Sequence, residues 1–259
     1  EEIKEYRNWP VGPKIQKELG LTKAWSFDMQ QRCGTTLVAF KLARDMIRAD
    51  ERIHNVLIVS GYRNSDLIHY PNPRVRWMYY LAAGGAACVV QRNCPGNEIL
   101  ESHFISDGSF AWDVYVPQGG SAEPMTSEGL KKGLQYLDVL DPAGMKERLE
   151  RLSLSNWLVC IDKALAKNGY TRADVDYLAT LLVKRSAHDY LMKQLGLAPE
   201  QTRYLEEFGH HGQNDQILSL ELAMEEDRLK DGDLVLMISA GIGYAWGAVL
   251  MRWGRGGKE

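Results

Sequence analysis

"DGDLVLMISAGIGYAWGAVLMRW", Asp231 to Trp253, is an apolar run, a glycine-marked turn and a second apolar run. Leu234–Ile238 has no alternating polar face, as expected of a strand buried on both sides. Gly241 and Gly243 permit the reversal, and a second strand returns through Trp246 to Trp253. A strand pair of this kind needs a layer on each side. The residues upstream supply helices for those layers.

"NDQILSLELAMEEDRL" reads as a helix, and "SAHDYLMKQLGL" as another that ends at Gly196. "DVDYLATLLV" between earlier turns is an apolar strand. "DPAGMKERLERLSLSNWLVCIDKALAKNG" is a long helix with Asp141 as N-cap, Pro142 at the first position and Gly169 as the stop. "HFISDGSFAWDVYVPQGGSAEP" mixes strand and turn signals, with Gly119, Gly120 and Pro124 marking a surface loop. Two more apolar strands are "HNVLIVSGYR" and the run within "YYLAAGGAACVVQRN". Gly34–Ala49 carries Leu37, Val38, Phe40, Leu42, Ala43, Met46 and Ile47 at helical spacing. Trp25–Met29 is expected to be a short strand, and Glu1–Leu21 a polar lead-in with a helix after Pro13. Strands alternating with helices define an α/β fold with covered sheets. A strand, a polar turn and a helix occur around Cys33 and again around Leu181, each followed by apolar strand pairs. This echo predicts two related halves, residues 1–125 and 126–259.

Composition narrows the function. The chain has 259 residues, 45% hydrophobic and 25% charged, with a net charge of −3. These are ordinary values for a globular protein. The basic residues are scattered, so no nucleic-acid partner is expected. No apolar run reaches the roughly 20 residues of a membrane span. The charged start "EEIKEYRNWP" is unlike a secretory leader. Cys33, Cys88, Cys94 and Cys160 have no CxxC spacing, so reduced thiols in a cytoplasmic protein are expected, with no zinc site. Gly84-Gly85 lacks the order and following helix of a phosphate loop.

Four segments in this order resemble the ketoacyl-ACP synthase III group of the thiolase superfamily. They are "FDMQQRCGTT", "LAAGGAACVV", "DVDYLATLLVKRSAHDYLMKQLGL" and the stretch from "YLEEFGHHGQNDQ" to Trp253. The resemblance implies a thiolase-like layered αβαβα fold built from two related halves. Family members carry a first βαβα stretch ahead of the segment matching Glu1–Gly20, and this sequence lacks it.

The resemblance implies that Cys33 is the nucleophile, although an arbitrary cysteine is more often a buried structural residue. A helix start would stabilise its thiolate. The backbone N–H matching Gly243 is implied to join that of Cys33 in an oxyanion hole; a tight turn alone would also explain the glycine. The family pairs its cysteine with a histidine and an asparagine. Here Leu181 falls at the histidine position and His210 at the asparagine position. A catalytic triad altered in this way puts decarboxylative condensation in doubt but leaves one histidine for acyl transfer. Its neighbour His211 points elsewhere, and His188 reads as a surface or capping residue. Lys184 and Arg185 match a region that contacts coenzyme A phosphates or acyl carrier protein; a solvated face is the other reading, as it is for Arg74 and Arg76. Tyr244 and Trp246 read as core packing.

The implied activity is acyl transfer. Cys33 takes an acyl group from acyl-CoA or an acyl carrier protein and passes it to a carbon, amine or hydroxyl. Coenzyme A serves as substrate, and no cofactor is required. The alternative is a catalytically silent subunit of a heteromeric synthase. A homodimer through the sheet near "NVLIVSGYR" is also implied.

Overall fold

In the computed structural model, which describes residues 4–6 and 8–254, the helices are α1 (Val11–Glu18), α2 (Thr35–Ala49), α3 (Ser127–Lys131), α4 (Pro142–Lys167), α5 (Arg185–Leu195) and α6 (Asp215–Glu225). The strands are β1 (Asn55–Tyr62), β2 (Gly84–Gln91), β3 (Glu98–Ser106), β4 (Tyr177–Thr180), β5 (Leu234–Gly241) and β6 (Ala245–Arg252). One sheet has the order β3-β6-β5-β4; β1 and β2 form a separate antiparallel pair. β5 and β6 pair antiparallel from Leu234↔Arg252 to Gly241↔Ala245, with Gly241 and Gly243 flanking the reversal. β4 runs parallel to β5, so the chain must cross over between them, and it does so through α5 and α6.

Side chains alternate across the four-stranded sheet and bury both faces. Leu178, Leu236, Ile238, Ala248 and Leu250 meet Trp157, Cys160, Ile161 and Ala164 of α4, with Leu191 of α5. On the other face Tyr177, Val235, Met237, Val249 and Met251 meet Leu37 and Phe40 of α2, with Leu220 of α6. Ile58 of β1 with Cys88 and Val90 of β2 pack onto that second cluster. The order is therefore helix, sheet, helix, sheet, in keeping with the expected layered fold. Each fully buried Leu, Ile or Met contributes roughly 1.5–3 kcal/mol.

Local chemistry sets the ends of the helices. The Asp141 carboxylate accepts from Gly144 N–H at 2.9 Å, and Pro142 opens α4 as the sequence predicts. Gly169 and Gly196 take left-handed φ of 73° and 69° just beyond their helices.

Three expectations need correction. Trp25–Met29 forms no ladder among the described residues. Instead Trp25 stacks on Phe27 at 5.1 Å, and Asp28 accepts from Val11 and Gly12 N–H at the start of α1. An isolated extended segment without a partner strand satisfies its polar groups locally. The first helix begins at Val11 and takes Pro13 into its first turn, where a missing N–H costs nothing. The strand read from "DVDYLATLLV" ends at Thr180, because Leu182 N–H turns to a side chain described below. The division expected at residue 125 falls in the irregular stretch before α3; β3 precedes it and pairs with β6 beyond it.

Candidate active site

The nucleophile position is built by a sharp turn. Arg32 has a left-handed φ of 50°, and a 3-10 turn over Arg32–Gly34 delivers Cys33 to the N-terminal end of α2. A non-glycine residue in that region costs about 1–3 kcal/mol and persists where the surroundings enforce it. Here they do: Thr35 Oγ1 donates to Arg32 O and accepts from Gln31 N–H. Cys33 is 8% exposed, with the first turn of α2 directed at it.

His210 meets it from the other side. Its Nε2 lies 3.1 Å from Cys33 Sγ, and its Nδ1 lies 2.6 Å from Asp215 Oδ2. Backbone bonds fix the imidazole's origin: His210 N–H donates to Tyr80 O at 2.8 Å, and Ala82 N–H donates to His210 O at 2.9 Å. Asp215, the first residue of α6, is fully buried. Its Oδ2 also accepts from Leu182 N–H at 2.7 Å, and its Oδ1 from His211 N–H at 2.7 Å. The result is a Cys33–His210–Asp215 line in which every bond is short and the carboxylate is fully engaged.

Burial pulls the His210 imidazole down, but the charges of Cys33 and Asp215 and hydrogen bonds to both overturn it, raising it to about 10. An imidazolium between a carboxylate and a sulfur favours negative charge on that sulfur. The Tyr80 ring stands 5.7 Å from His210. Although 41% of Tyr80 is exposed, its hydroxyl end is desolvated, and burial, then the nearby charges of Cys33 and Asp215, push the phenol upward. The other thiols differ. Burial pushes Cys160 to about 12 and Cys88 to about 11.

The site residues expected from the sequence divide into two groups. Cys33 and His210 come together. Leu181 is buried in the apolar cluster beside Cys33 and brings no polar group. Gly241 packs closest to the nucleophile loop: a Cβ on it would sit 2.6 Å from Gln31 O and 3.4 Å from Cys33 N. Gly243 lies two residues along the turn, with φ of 125° and open space around its α-carbon. Replacing Gly241 by alanine should therefore push the Cys33 loop aside. A displacement near 1 Å costs roughly 10²-fold in rate, read as acylation velocity against an unchanged far-UV circular dichroism spectrum.

Lys184 and Arg185 are exposed at the start of α5, apart from the triad. Arg185 pairs with Asp189 at 3.0 Å and lies over the Tyr204 ring at 4.9 Å. Arg74 pairs with Asp138, and Arg76 is exposed. His188 is not a surface residue: it is 3% exposed, meets the Tyr204 ring at a tilt with centroids 4.8 Å apart, and is lowered chiefly by burial. It faces the apolar side of an amphipathic helix, where a histidine fills space. Trp246 and Tyr244 are core residues, as expected.

Asp215 was not identified from the sequence. The spacing His210-x-x-x-x-Asp215, ahead of an apolar helix, is its only trace, and it reads equally as an acidic first-turn residue.

With this geometry in place, the comparisons are informative. Residues 27–108 match the family described as 3-oxoacyl-[acyl-carrier-protein (ACP)] synthase III, and residues 165–253 its C-terminal part. A beta-ketoacyl-[acyl-carrier-protein] synthase III of Symbiobacterium thermophilum is 30% identical over 243 residues, covering 93% of this chain and 71% of that protein. One from Syntrophomonas wolfei is 28% identical over 93% of this chain and 70% of its own. The fold superimposes on the 3-oxoacyl-[acyl-carrier-protein] synthase III of Aquifex aeolicus VF5 with a TM-score of 0.79 at 20% identity, over 96% of this chain and 73% of that one. A Pseudomonas aeruginosa PAO1 structure gives 0.81 at 18% identity, over 98% and 75%. The fold is the layered thiolase type shared by these synthases. The chain belongs to the 3-oxoacyl-[acyl-carrier-protein] synthase III family.

Proposed function

We propose that this protein is an acyltransferase that carries its acyl group as a thioester on Cys33 and passes it to a hydroxyl or amine. The observation that carries this reading is the Cys33–His210–Asp215 line, combined with Leu181 where the family resemblance calls for histidine. Cys33 Sγ, whose proton already resides on the His210 imidazolium, attacks the donor thioester carbonyl. The carbon–sulfur bond to coenzyme A or the carrier breaks, and His210 returns the proton to the departing thiol. In the second half His210 takes a proton from the acceptor O–H or N–H. The acceptor attacks the acyl carbon, the bond to Cys33 breaks, and the thiol is restored. Asp215 holds the ring and the charge that forms on it. Backbone N–H groups of Cys33 and Gly243 are the proposed oxyanion donors.

Decarboxylative attack by carbon requires polar groups that stabilise an enolate. A buried leucine offers none, so carbon is the least favoured of the three acceptors. The proposed donors are acyl-CoA or acyl carrier protein, with Lys184 and Arg185 facing their acidic groups. The intact triad line gives the silent-subunit alternative no support. A homodimer is also proposed, because Leu57, Val59 and Val89 present an exposed apolar face on the β1–β2 pair. No helix among the described residues is long and apolar enough to cross a membrane.

The test is mass spectrometry of the protein after mixing with acetyl-CoA and longer acyl-CoAs, with the acyl mass located by fragmentation. The acyl group should appear on the peptide containing Cys33 and on none containing Cys88, Cys94 or Cys160. Malonyl-CoA added to the acyl-enzyme should release no condensation product. Failure of every donor to label Cys33 in the folded protein would overturn the proposal.

A further inference from the structure

Two tyrosine rings bear on the His210 imidazole. Tyr62, the last residue of β1, places its ring centroid 6.1 Å from that of His210, at a tilt of 58°. Tyr80, in the turn ahead of β2, does so at 5.7 Å and 43°. Both distances lie within the roughly 4.5–7 Å over which aromatic rings attract. Tyr62 and His210 are buried, while Tyr80 remains partly exposed. The antiparallel ladder sets Tyr62 opposite Gly84 at the start of β2, and Leu81 bridges to His210. Both rings therefore reach the same imidazole, one from each strand of the pair.

The chain around His210 is shaped to admit them. Gly209 and Gly212 flank the two histidines, with left-handed φ of 78° and 61°. A Cβ on Gly212 would fall inside the van der Waals surface of the Tyr62 ring. A Cβ on Gly209 would lie 2.9 Å from Tyr80 O, the atom that accepts from His210 N–H. Both glycines thus permit a close approach as well as the backbone turn.

In the resting enzyme the imidazole is held at both nitrogens, by Cys33 Sγ and Asp215 Oδ2. Acylation removes the first hold, because a thioester sulfur carries neither the proton nor the charge that bound Nε2. The ring then keeps one hydrogen bond, through Nδ1, and the χ2 torsion of a histidine is intrinsically broad. The second half of the transfer still needs Nε2 in place, since a hydroxyl or amine attacks well only as its proton is taken. The first half needs it less, since Sγ attacks as a thiolate.

We infer that Tyr62 and Tyr80 are positioning residues, a clamp of two rings that keeps the His210 imidazole aimed at the acyl sulfur once the Cys33–His210 bond is lost, and so serves deacylation. This rests on the acyl-transfer reading above.

The test times the two half-reactions separately. Cys33 is acetylated with acetyl-CoA, the donor is removed, and ethanolamine, which offers both acceptor groups, discharges the acetyl-enzyme. Intact-protein mass spectrometry follows each half. Tyr62→Leu and Tyr80→Leu should slow discharge at least about tenfold more than acylation, within the roughly 10²-fold that a misplacement near 1 Å costs. Tyr62→Phe and Tyr80→Phe keep the rings and should restore the wild-type ratio. Tyr80 is partly exposed, so its variants carry the measurement if Tyr62→Leu does not fold. Leucine variants that slow both halves equally or neither, or phenylalanine variants that behave as the leucine ones do, would overturn the clamp while leaving acyl transfer standing. A wild-type acetyl-enzyme that ethanolamine discharges no faster than the urea-unfolded acyl-protein would overturn it too. Failure of Cys33 to take up acetyl at all would remove the acyl-transfer reading and the clamp with it.

Discussion

Alanine in place of His210 should slow acylation of Cys33 by roughly 10²–10⁴-fold, the span expected for loss of a positioned general acid–base group. It should also slow alkylation of the thiol. His210 is raised to about 10, so the imidazolium persists beside Cys33 through neutral pH. Iodoacetamide at neutral pH should therefore label Cys33 faster than Cys88 or Cys160, and the alanine variant should lose that advantage. The effect on stability has the opposite sign to that of a depressed carboxylate. A histidine raised on folding contributes stability that is complete below its unfolded value near 6.5. That contribution declines as pH rises and is gone above about 10. Thermal melts of wild-type and His210→Ala protein should therefore differ most near pH 6 and converge toward pH 10. A variant that alkylates at the wild-type rate would remove His210 from the mechanism.

Substitution of Asp215 should affect both rate and stability. The carboxylate accepts from His210, Leu182 and His211, and it is fully buried. Alanine leaves three donors, two of them buried, without this partner and an imidazolium without its counter-charge. Breaking such a pair costs roughly 3–5 kcal/mol, and at about 2–4 °C per kcal/mol the melting temperature should fall by roughly 6–20 °C. Asparagine separates the two effects. Its single oxygen can replace Oδ1 or Oδ2 but not both, so one N–H group must face another. If the amide N–H₂ faces His210, the imidazole is forced into the tautomer that cannot accept from sulfur. The same swap costs about 10⁴ in rate in a serine protease triad, and a loss of similar order is expected here with much of the fold retained. Acylation followed by mass spectrometry, alongside calorimetry, checks both effects. A near-wild-type rate for Asp215→Asn would reduce the aspartate to a structural role.

Two features of the site decide between competing chemistries. A histidine at 181 would add a second polar group to the thioester; Leu181 leaves an apolar wall. Leu182 meanwhile contributes its backbone N–H to Asp215, so this strand end now supports the histidine indirectly.

Local signals in the sequence were enough for most of the fold. The doubly apolar run Leu234–Ile238, the Asp141-Pro142 start and the stops at Gly169 and Gly196 depend on short-range rules: period, caps and φ. The structure follows them. Cys33 and His210 were legible because "RCGTT" and "EEFGHHG" each resemble a family segment. Trp25–Met29 misled because strand propensity says nothing about whether a partner strand is there to bond with. His188 misled because a helix start looks solvent-facing until the neighbouring Tyr204 is placed over it.

The place of Asp215 in the site depended on the tertiary structure. A first-turn aspartate is ordinary in sequence and becomes part of a triad only when α6, the strand end at Leu182 and the turn at His210 converge on it. Sequence rules extend over a helical turn or a strand pair. Desolvation and hydrogen-bond satisfaction are set by whatever the packed chain brings near, and for these residues that comes from far along the sequence.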